Sequence, residues 1–268
     1  MEGFVPISLT TDQTLQDASR LPFCYLCGQE FGPSDDKNRD HVPPSGLFAL
    51  ADRALPLILP THRRCNERRS PEDQAIGQLV GVLHGRRVNP RHNKLQVTLL
   101  GRFPDGRPAA AATEIDIREA IRRWVRGFHS ALYGEYLPAD SIFATYPPLP
   151  EGTRVADYVR FDPVPEALPK FVEELKRNRT VRNLDRVICR NGKCRYECVW
   201  SQADDGRWIC IYGLDLYNWS DLGARDQPSR GCVGCYRRPS GGAPPNASTG
   251  TRLVFNIERT SPFDPFGA

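Results

Sequence analysis

The sequence predicts an α+β protein in which a zinc-braced N-terminal unit precedes several helices and a C-terminal module containing a β-hairpin. Two pairs of metal-ligand residues, Cys24-x-x-Cys27 and His62-x-x-Cys65, predict the N-terminal unit. A long amphipathic pattern predicts the main helix, and alternating residues around a turn at 203–206 predict the hairpin. The predicted divisions are a polar lead-in, the N-terminal unit, a helical connecting region and the C-terminal module (1–20, 21–90, 91–164 and 165–268).

The composition is that of an ordinary globular chain. Of 268 residues, 40% are hydrophobic and 25% are charged. No apolar run approaches the roughly 20 residues that a membrane-spanning helix needs. The first twenty residues lack the basic start and apolar core of a secretory signal. We therefore expect a cytoplasmic protein with no membrane segment.

Nine cysteines in such a chain favour metal ligands or buried thiols over disulfides. Three of them lie between residues 24 and 65, and the other six lie between residues 189 and 235. This grouping predicts two separate cysteine-bearing units.

Several residues in the N-terminal unit predict where its strands and helices begin and end. We predict a knuckle and short strand at 23–31 and a second strand at 39–42, which ends at a Pro-Pro pair. Thr61 is a candidate N-cap for a helix that carries the second ligand pair. Ser70 before Pro71 predicts the start of another helix, whose apolar residues recur at helical spacing at Ile76, Leu79, Val80 and Leu83.

The four ligand residues suit a structural zinc ion. Such sites take four tetrahedral sulfur or imidazole ligands, commonly from two closely spaced pairs. Cys24 and Cys27 come from the knuckle, while residues three apart on a helix share a face, as His62 and Cys65 would. Buried thiols without metal are the alternative.

Asp40, His41 and Asn66 offer a second kind of chemistry. Adjacent strand residues point to opposite faces, so Asp40 can bind a cation while His41 addresses a water molecule. Asn66 lies about 100° round the helix from Cys65 and can turn toward Asp40. A carboxylate and an amide oxygen suit Mg²⁺ or Mn²⁺. Individually, Asp40 also fits a strand-end turn, and His41 a half-buried core histidine.

Residues 21–75 resemble the HNH endonucleases of the ββα-metal type. Asp40-His41-Val42-Pro43-Pro44 matches the family's first motif, and Cys65-Asn66 matches its last. The sequence is also similar to a bacterial subgroup that is often found beside mobile or defence genes. The resemblance implies metal-dependent hydrolysis of DNA, with His41 as the general base and with Asp40 and Asn66 as Mg²⁺ or Mn²⁺ ligands. It implies DNA as a partner, together with a protein that supplies targeting or activation.

Two features depart from the family pattern. His62 stands where the family has a cysteine, and residues 45–61 contain no Asn to orient the base. One alternative is a zinc-braced nucleic-acid-binding module that does not cleave. A purely structural protein with two zinc knuckles is another.

The net charge of +4 is weak evidence for nucleic acid, but arginines cluster locally. Beside the motif, each arginine is read either as a phosphate contact or as part of a solvated face; these residues are Arg63, Arg64, Arg68 and Arg69. A helix that begins at Thr113 carries a further arginine row (Arg118, Arg122 and Arg126), opposite an apolar stripe around Trp124 and Phe128. A second helix is predicted from Pro165 to about residue 177.

The C-terminal module holds a candidate second zinc site. Its ligands would be Cys189, Cys194, Cys232 and Cys235, with Cys198 and Cys210 as alternative ligands or buried hydrophobes. Trp200, Trp208, Tyr212, Tyr217 and Trp219 concentrate aromatic residues here. Core packing is their simplest role, and base stacking or partner binding is the other.

Overall fold

The computed structural model describes residues 5–83, 97–102, 108–112, 117–146, 167–203, 206–217 and 232–251. Within them the helices are α1 (Asp12–Ala18), α2 (Arg63–Glu67), α3 (Ser70–Leu83), α4 (Ile117–Tyr133) and α5 (Ala167–Thr180). The strands are β1 (Ser8–Leu9), β2 (Lys37–His41), β3 (Ile58–His62), β4 (Val97–Arg102), β5 (Pro108–Ala112), β6 (Ile142–Tyr146), β7 (Asp185–Cys189), β8 (Cys194–Gln202), β9 (Trp208–Leu216) and β10 (Cys232–Tyr236). The predicted α+β class is confirmed. Every helix in these ranges is too short or too polar to cross a bilayer.

The strands form one large sheet and two ribbons. The large sheet has the order β1-β7-β8-β9-β10-β6, and the ribbons are β2–β3 and β4–β5. β8 and β9 make the predicted hairpin, with Gly206 at φ +85° in its turn. α3 matches the helix predicted from apolar spacing after Ser70, and α5 matches the helix predicted from Pro165 to about residue 177.

The antiparallel ribbon β2–β3 is the frame of the N-terminal unit. Its register places Asp40 opposite Leu59 and His41 opposite Ile58. The knuckle before it is closed by a bridge between Phe23 and Glu30, as the sequence predicted. α2 follows β3 without a connecting loop, so residues at the end of β3 and the start of α2 are brought to the same end of the ribbon.

Helix α4 lies between this ribbon and the large sheet. The ring of Phe128 stacks on Tyr196 of β8, with centroids 4.7 Å apart. On the ribbon side, a Cβ added at Gly127 would lie 2.8 Å from the Val42 side chain, so the close approach requires glycine at this position. A single hydrophobic core therefore joins the N-terminal unit, α4 and the large sheet.

The prediction of a row of arginines on an open face of α4 is wrong in part. Arg126 is buried and donates to the carbonyl of Leu26 at 3.1 Å. The neighbouring Arg123 is also buried and forms a two-point ion pair with Asp73 of α3. Periodicity alone assigns such residues to solvent, but α4 is enclosed by neighbours on more than one side.

The segment predicted as a polar lead-in is part of the fold from residue 5 onward. β1 pairs in parallel with β7, and the N–H of Ile7 donates to the buried carboxylate of Asp185 at 2.8 Å. Leu15 of α1 is buried in the main core. The expected helix start at Thr113 and the aromatic residue Trp219 lie outside the described residues.

Candidate metal centre and surrounding site

Four residues converge as the sequence predicted. The ligand atoms of Cys24, Cys27, His62 and Cys65 all lie within 4.8 Å of one another. The knuckle turns because the Cys24 carbonyl accepts the N–H groups of Cys27 (3.3 Å) and Gly28 (2.8 Å). Gly28 has φ +77°, and a Cβ there would meet the Tyr136 ring at 2.6 Å, so both backbone and space require glycine.

His62 reaches the cluster from a strand and not from a helix. It is the last residue of β3 and the residue before α2, and its side chain makes no capping hydrogen bond. Thr61 is not the predicted N-cap, because it pairs with Asn38 inside the ribbon. The first turn of α2 then presents Cys65, so the junction of β3 and α2 delivers the second ligand pair.

Asp35 orients the His62 ring. Nδ1 of His62 lies 3.4 Å from Sγ of Cys27, while Nε2 lies 3.3 Å from Oδ2 of Asp35. The N–H of Gly32 also donates to Asp35, at 2.6 Å, and these contacts lower the pKa of that carboxyl. A carboxylate on the outer nitrogen fixes which nitrogen of a histidine faces a metal. Sequence reasoning missed Asp35, because its partner is 27 residues away.

The chemistry of this cluster fits a zinc ion. Three thiols and one imidazole are a common structural zinc set. Burial raises the pKa of the Cys24 and Cys65 thiols, and a bound divalent cation offsets this rise by stabilising the thiolates. The four residues can therefore hold zinc and tie the knuckle to the β3–α2 junction.

Asp40 is buried against the knuckle. It is 6% exposed, and Oδ2 accepts a hydrogen bond of 2.5 Å from the hydroxyl of Tyr25, which sits between Cys24 and Cys27 in the sequence. Burial raises the pKa of Asp40 to about 6. The predicted metal ligand is thus linked directly to the knuckle, a contact that the sequence did not reveal.

Asn66 and His41, the other two predicted catalytic residues, lie close to Asp40: His41 follows it on β2, and Asn66 contacts the residue before it. The side-chain amide of Asn66 donates to the carbonyl of Arg39 at 3.3 Å, which fixes α2 against β2 one residue before Asp40. Burial, followed by the charges of Arg190, Arg39 and Arg53, lowers the pKa of the half-buried His41. In the described part of the chain, no side-chain hydrogen bond joins Asp40 directly to Asn66.

The four arginines predicted as phosphate contacts differ in their surroundings. Arg63 pairs with Asp36 (2.5 Å), and Arg69 lies near Glu72 (3.8 Å) and Glu119 (3.6 Å). Arg64 donates to Gln29 at 3.1 Å. Arg68 is exposed and has no ion pair within the described ranges. Carboxylates therefore offset the charge of two of the four.

The candidate second zinc set is not assembled. Cys189 and Cys194 face each other across β7 and β8, whereas Cys232 and Cys235 lie on β10, beyond the intervening β9. Two strand spacings amount to about 10 Å, which is too far for one ion. Among the residues that the structure describes, the only cluster of three or more such ligands is the one at Cys24. All six C-terminal cysteines are buried.

The fold and the cluster together define a mixed α+β protein with a Cys₃His centre suited to zinc. Comparison with protein-family models, with curated proteins and with solved structures found no significant match.

Proposed function

We propose that the chain is a metal-dependent HNH endonuclease that hydrolyses DNA phosphodiester bonds. One observation carries this proposal: the zinc-type cluster braces the same ribbon that bears Asp40 and His41, and α2 sets Asn66 against the carbonyl of Arg39. The order of parts (knuckle, strand with Asp-His, helix with Asn) is the order that the resemblance implies.

His41 would act as the general base. Burial and neighbouring positive charges lower its pKa, which favours the neutral imidazole, the form that can accept a proton. In the proposed reaction a water molecule gives that proton to His41, and its oxygen attacks the phosphorus. The phosphorus–oxygen bond to the leaving group then breaks, and the leaving oxygen takes a proton from solvent.

Asp40 and Asn66 would hold Mg²⁺ or Mn²⁺. The Asn66 amide nitrogen faces the Arg39 carbonyl, so the amide oxygen is directed elsewhere and can serve as a ligand. A divalent cation bound there neutralises charge on the scissile phosphate and the leaving oxygen. A phage-defence or mobile-element setting, with a partner protein for targeting or activation, is part of the proposal by analogy alone.

A zinc-braced nucleic-acid-binding module that does not cleave is the second candidate. It is favoured by the His41 ring, which has no hydrogen-bond partner among the described residues to fix its tautomer. It is also favoured by the burial of Asp40 against Tyr25.

Plasmid cleavage separates the two candidates. Supercoiled plasmid would be incubated with zinc-loaded wild-type protein or with His41→Ala, in Mg²⁺, in Mn²⁺ or in EDTA. We expect nicking or linearisation that needs the added ion and that falls at least about 100-fold in the variant, since a general base contributes that much or more. DNA binding by the wild-type protein without cleavage in either ion would support the binding module.

A further inference from the structure

Three arginines near His41 have no carboxylate partner among the described residues: Arg39, Arg53 and Arg190. Arg39 lies two residues before His41 on β2, so the two side chains share one face of the strand, and Arg39 is exposed. Arg53 ends the short 3₁₀ turn Leu50–Asp52 and donates Nε to the carbonyl of Phe48 at 3.1 Å. Arg190 belongs to the turn between β7 and β8. In the described part of the chain, none of the three forms an ion pair.

Arg190 fixes the position of the loop that carries Arg53. Its side chain is 1% exposed, and Nη1 donates to the Arg53 carbonyl at 3.0 Å. Nη2 donates to the carbonyl of Pro43 (3.2 Å) and to the hydroxyl of Ser45 (3.1 Å), and Nε has no partner among the described residues. The large sheet therefore holds the loop after His41 with a buried cation.

The contrast with α2 is informative. There, Asp36 lies against Arg63, and two glutamates lie near Arg69. The Arg190 guanidinium bonds both the Arg53 carbonyl and the Pro43 carbonyl, so Arg53 and Arg190 lie close to the chain two residues after His41. Within the described residues, only carbonyls and one hydroxyl receive the side-chain hydrogen bonds of Arg53 and Arg190. Converging charges of one sign raise the local concentration of a ligand of the opposite sign. An anion at this position would offset their mutual repulsion.

We infer that Arg39 and Arg53 form a phosphate-binding subsite beside His41, held in place by Arg190, and that the phosphodiester backbone of a nucleic acid occupies it. The identity of this polyanion rests on the proposed function. The inference assigns the phosphate contacts to β2 and the following loop, and not to the arginines of α2.

The test measures DNA binding without cleavage. In a His41→Ala background, without Mg²⁺ or Mn²⁺, the affinity for a short fluorescent DNA duplex would be measured from about 50 to 200 mM salt. The slope of log affinity against log salt concentration is negative, and each lost phosphate contact reduces its magnitude by about 0.9. We expect that change for Arg39→Gln and for Arg53→Gln, and twice that change for the double variant. Arg53→Lys should keep the slope.

Two controls carry the same loss of charge. Arg182→Gln changes an exposed arginine before β7, at the opposite end of that strand from Arg190, and Arg63→Gln changes an arginine of α2. Neither should alter the slope. Zinc content and circular dichroism would verify the fold of each variant. Arg39→Gln should preserve it, because the exposed Arg39 side chain forms no hydrogen bond or ion pair with the described residues.

The inference is overturned if the Arg39 and Arg53 variants keep the parent slope, or if Arg63→Gln alone lowers it. It is also overturned if the parent protein shows no salt-dependent DNA binding. Plasmid cleavage by the wild-type protein tests the nuclease proposal separately, so failure of the subsite and failure of the proposed function give different results.

Discussion

At the scale of single residues, Asp40 occupies a position that disfavours its charge. Burial is the main cause of its raised pKa, and Asp73 adds to the rise. The Tyr25 hydroxyl and Arg123 offset only part of this effect. A buried carboxylate destabilises the fold when it ionises, and such costs concentrate where a side chain has a chemical role.

Asp40→Asn should therefore stabilise the protein at neutral and alkaline pH. The pKa of Asp40 is about 6 in the folded protein and about 3.9 in an unfolded chain. Because the folded pKa is raised, the stability associated with the protonated form is lost as pH rises through about 4 to 6. The neutral variant escapes this loss.

We expect the stability advantage of Asp40→Asn to grow by about 1 kcal/mol between pH 5 and pH 8. Urea unfolding of zinc-loaded protein, followed by circular dichroism without Mg²⁺, measures it. A difference that stays constant across this range would show that Asp40 does not titrate as described. The same variant should lose cleavage if Asp40 holds the catalytic ion.

At the scale of elements, short sequence patterns predicted the features that depend on neighbouring residues: the knuckle, the hairpin and α3. The knuckle follows from Cys24, Cys27 and Gly28, and the hairpin follows from strand-type sequences on both sides of a turn that ends at Gly206. Apolar spacing at Ile76 and Leu79 was sufficient for α3. These features depend on residues that are close together in the sequence.

Contacts between distant segments were not predictable in this way. The parallel pairing of β1 with β7 joins residues 178 positions apart, and nothing near Ser8 marks it as a strand. Likewise, Tyr25 and Asp35 became visible as parts of the site only through their partners, Asp40 and His62. The ligand cluster was predicted because its spacing is diagnostic; its supporting residues have no such spacing.

The knuckle and the β3–α2 junction should separate without their metal. Cys27→Ser removes one of four ligands, so we expect loss of zinc and a lower unfolding temperature. Zinc content by a chelator dye assay and thermal unfolding measure the two effects. Cys235→Ala is the matched control: it changes a cysteine on β10, outside the cluster, and should keep the full zinc content. Loss of zinc in the control would restore the second-site hypothesis.

At the scale of the whole molecule, the six-stranded sheet and the N-terminal unit meet at the loop after His41. Arg190 and Asn191 of the β7–β8 turn donate to carbonyls of this loop, and Arg190 lies over the Phe48 ring at 5.4 Å. Tyr217, just beyond β9, stacks on Phe48 and donates to the Leu47 carbonyl. The predicted boundary between an N-terminal unit and a C-terminal module therefore does not correspond to two independent cores.

Arg190→Met should loosen this junction. The variant leaves the carbonyls of Pro43 and Arg53 without their buried donor, so we expect a loss of about 2 kcal/mol in unfolding free energy. Arg53 is the only trypsin site in residues 43–55, and cleavage there should become faster in the variant. Urea unfolding and mass spectrometry of tryptic fragments measure the two effects. Arg186→Met, on the exposed face of the same strand β7, should change stability by no more than about 0.5 kcal/mol. If Arg190→Met matches this control in stability and in cleavage after Arg53, the sheet does not hold the loop.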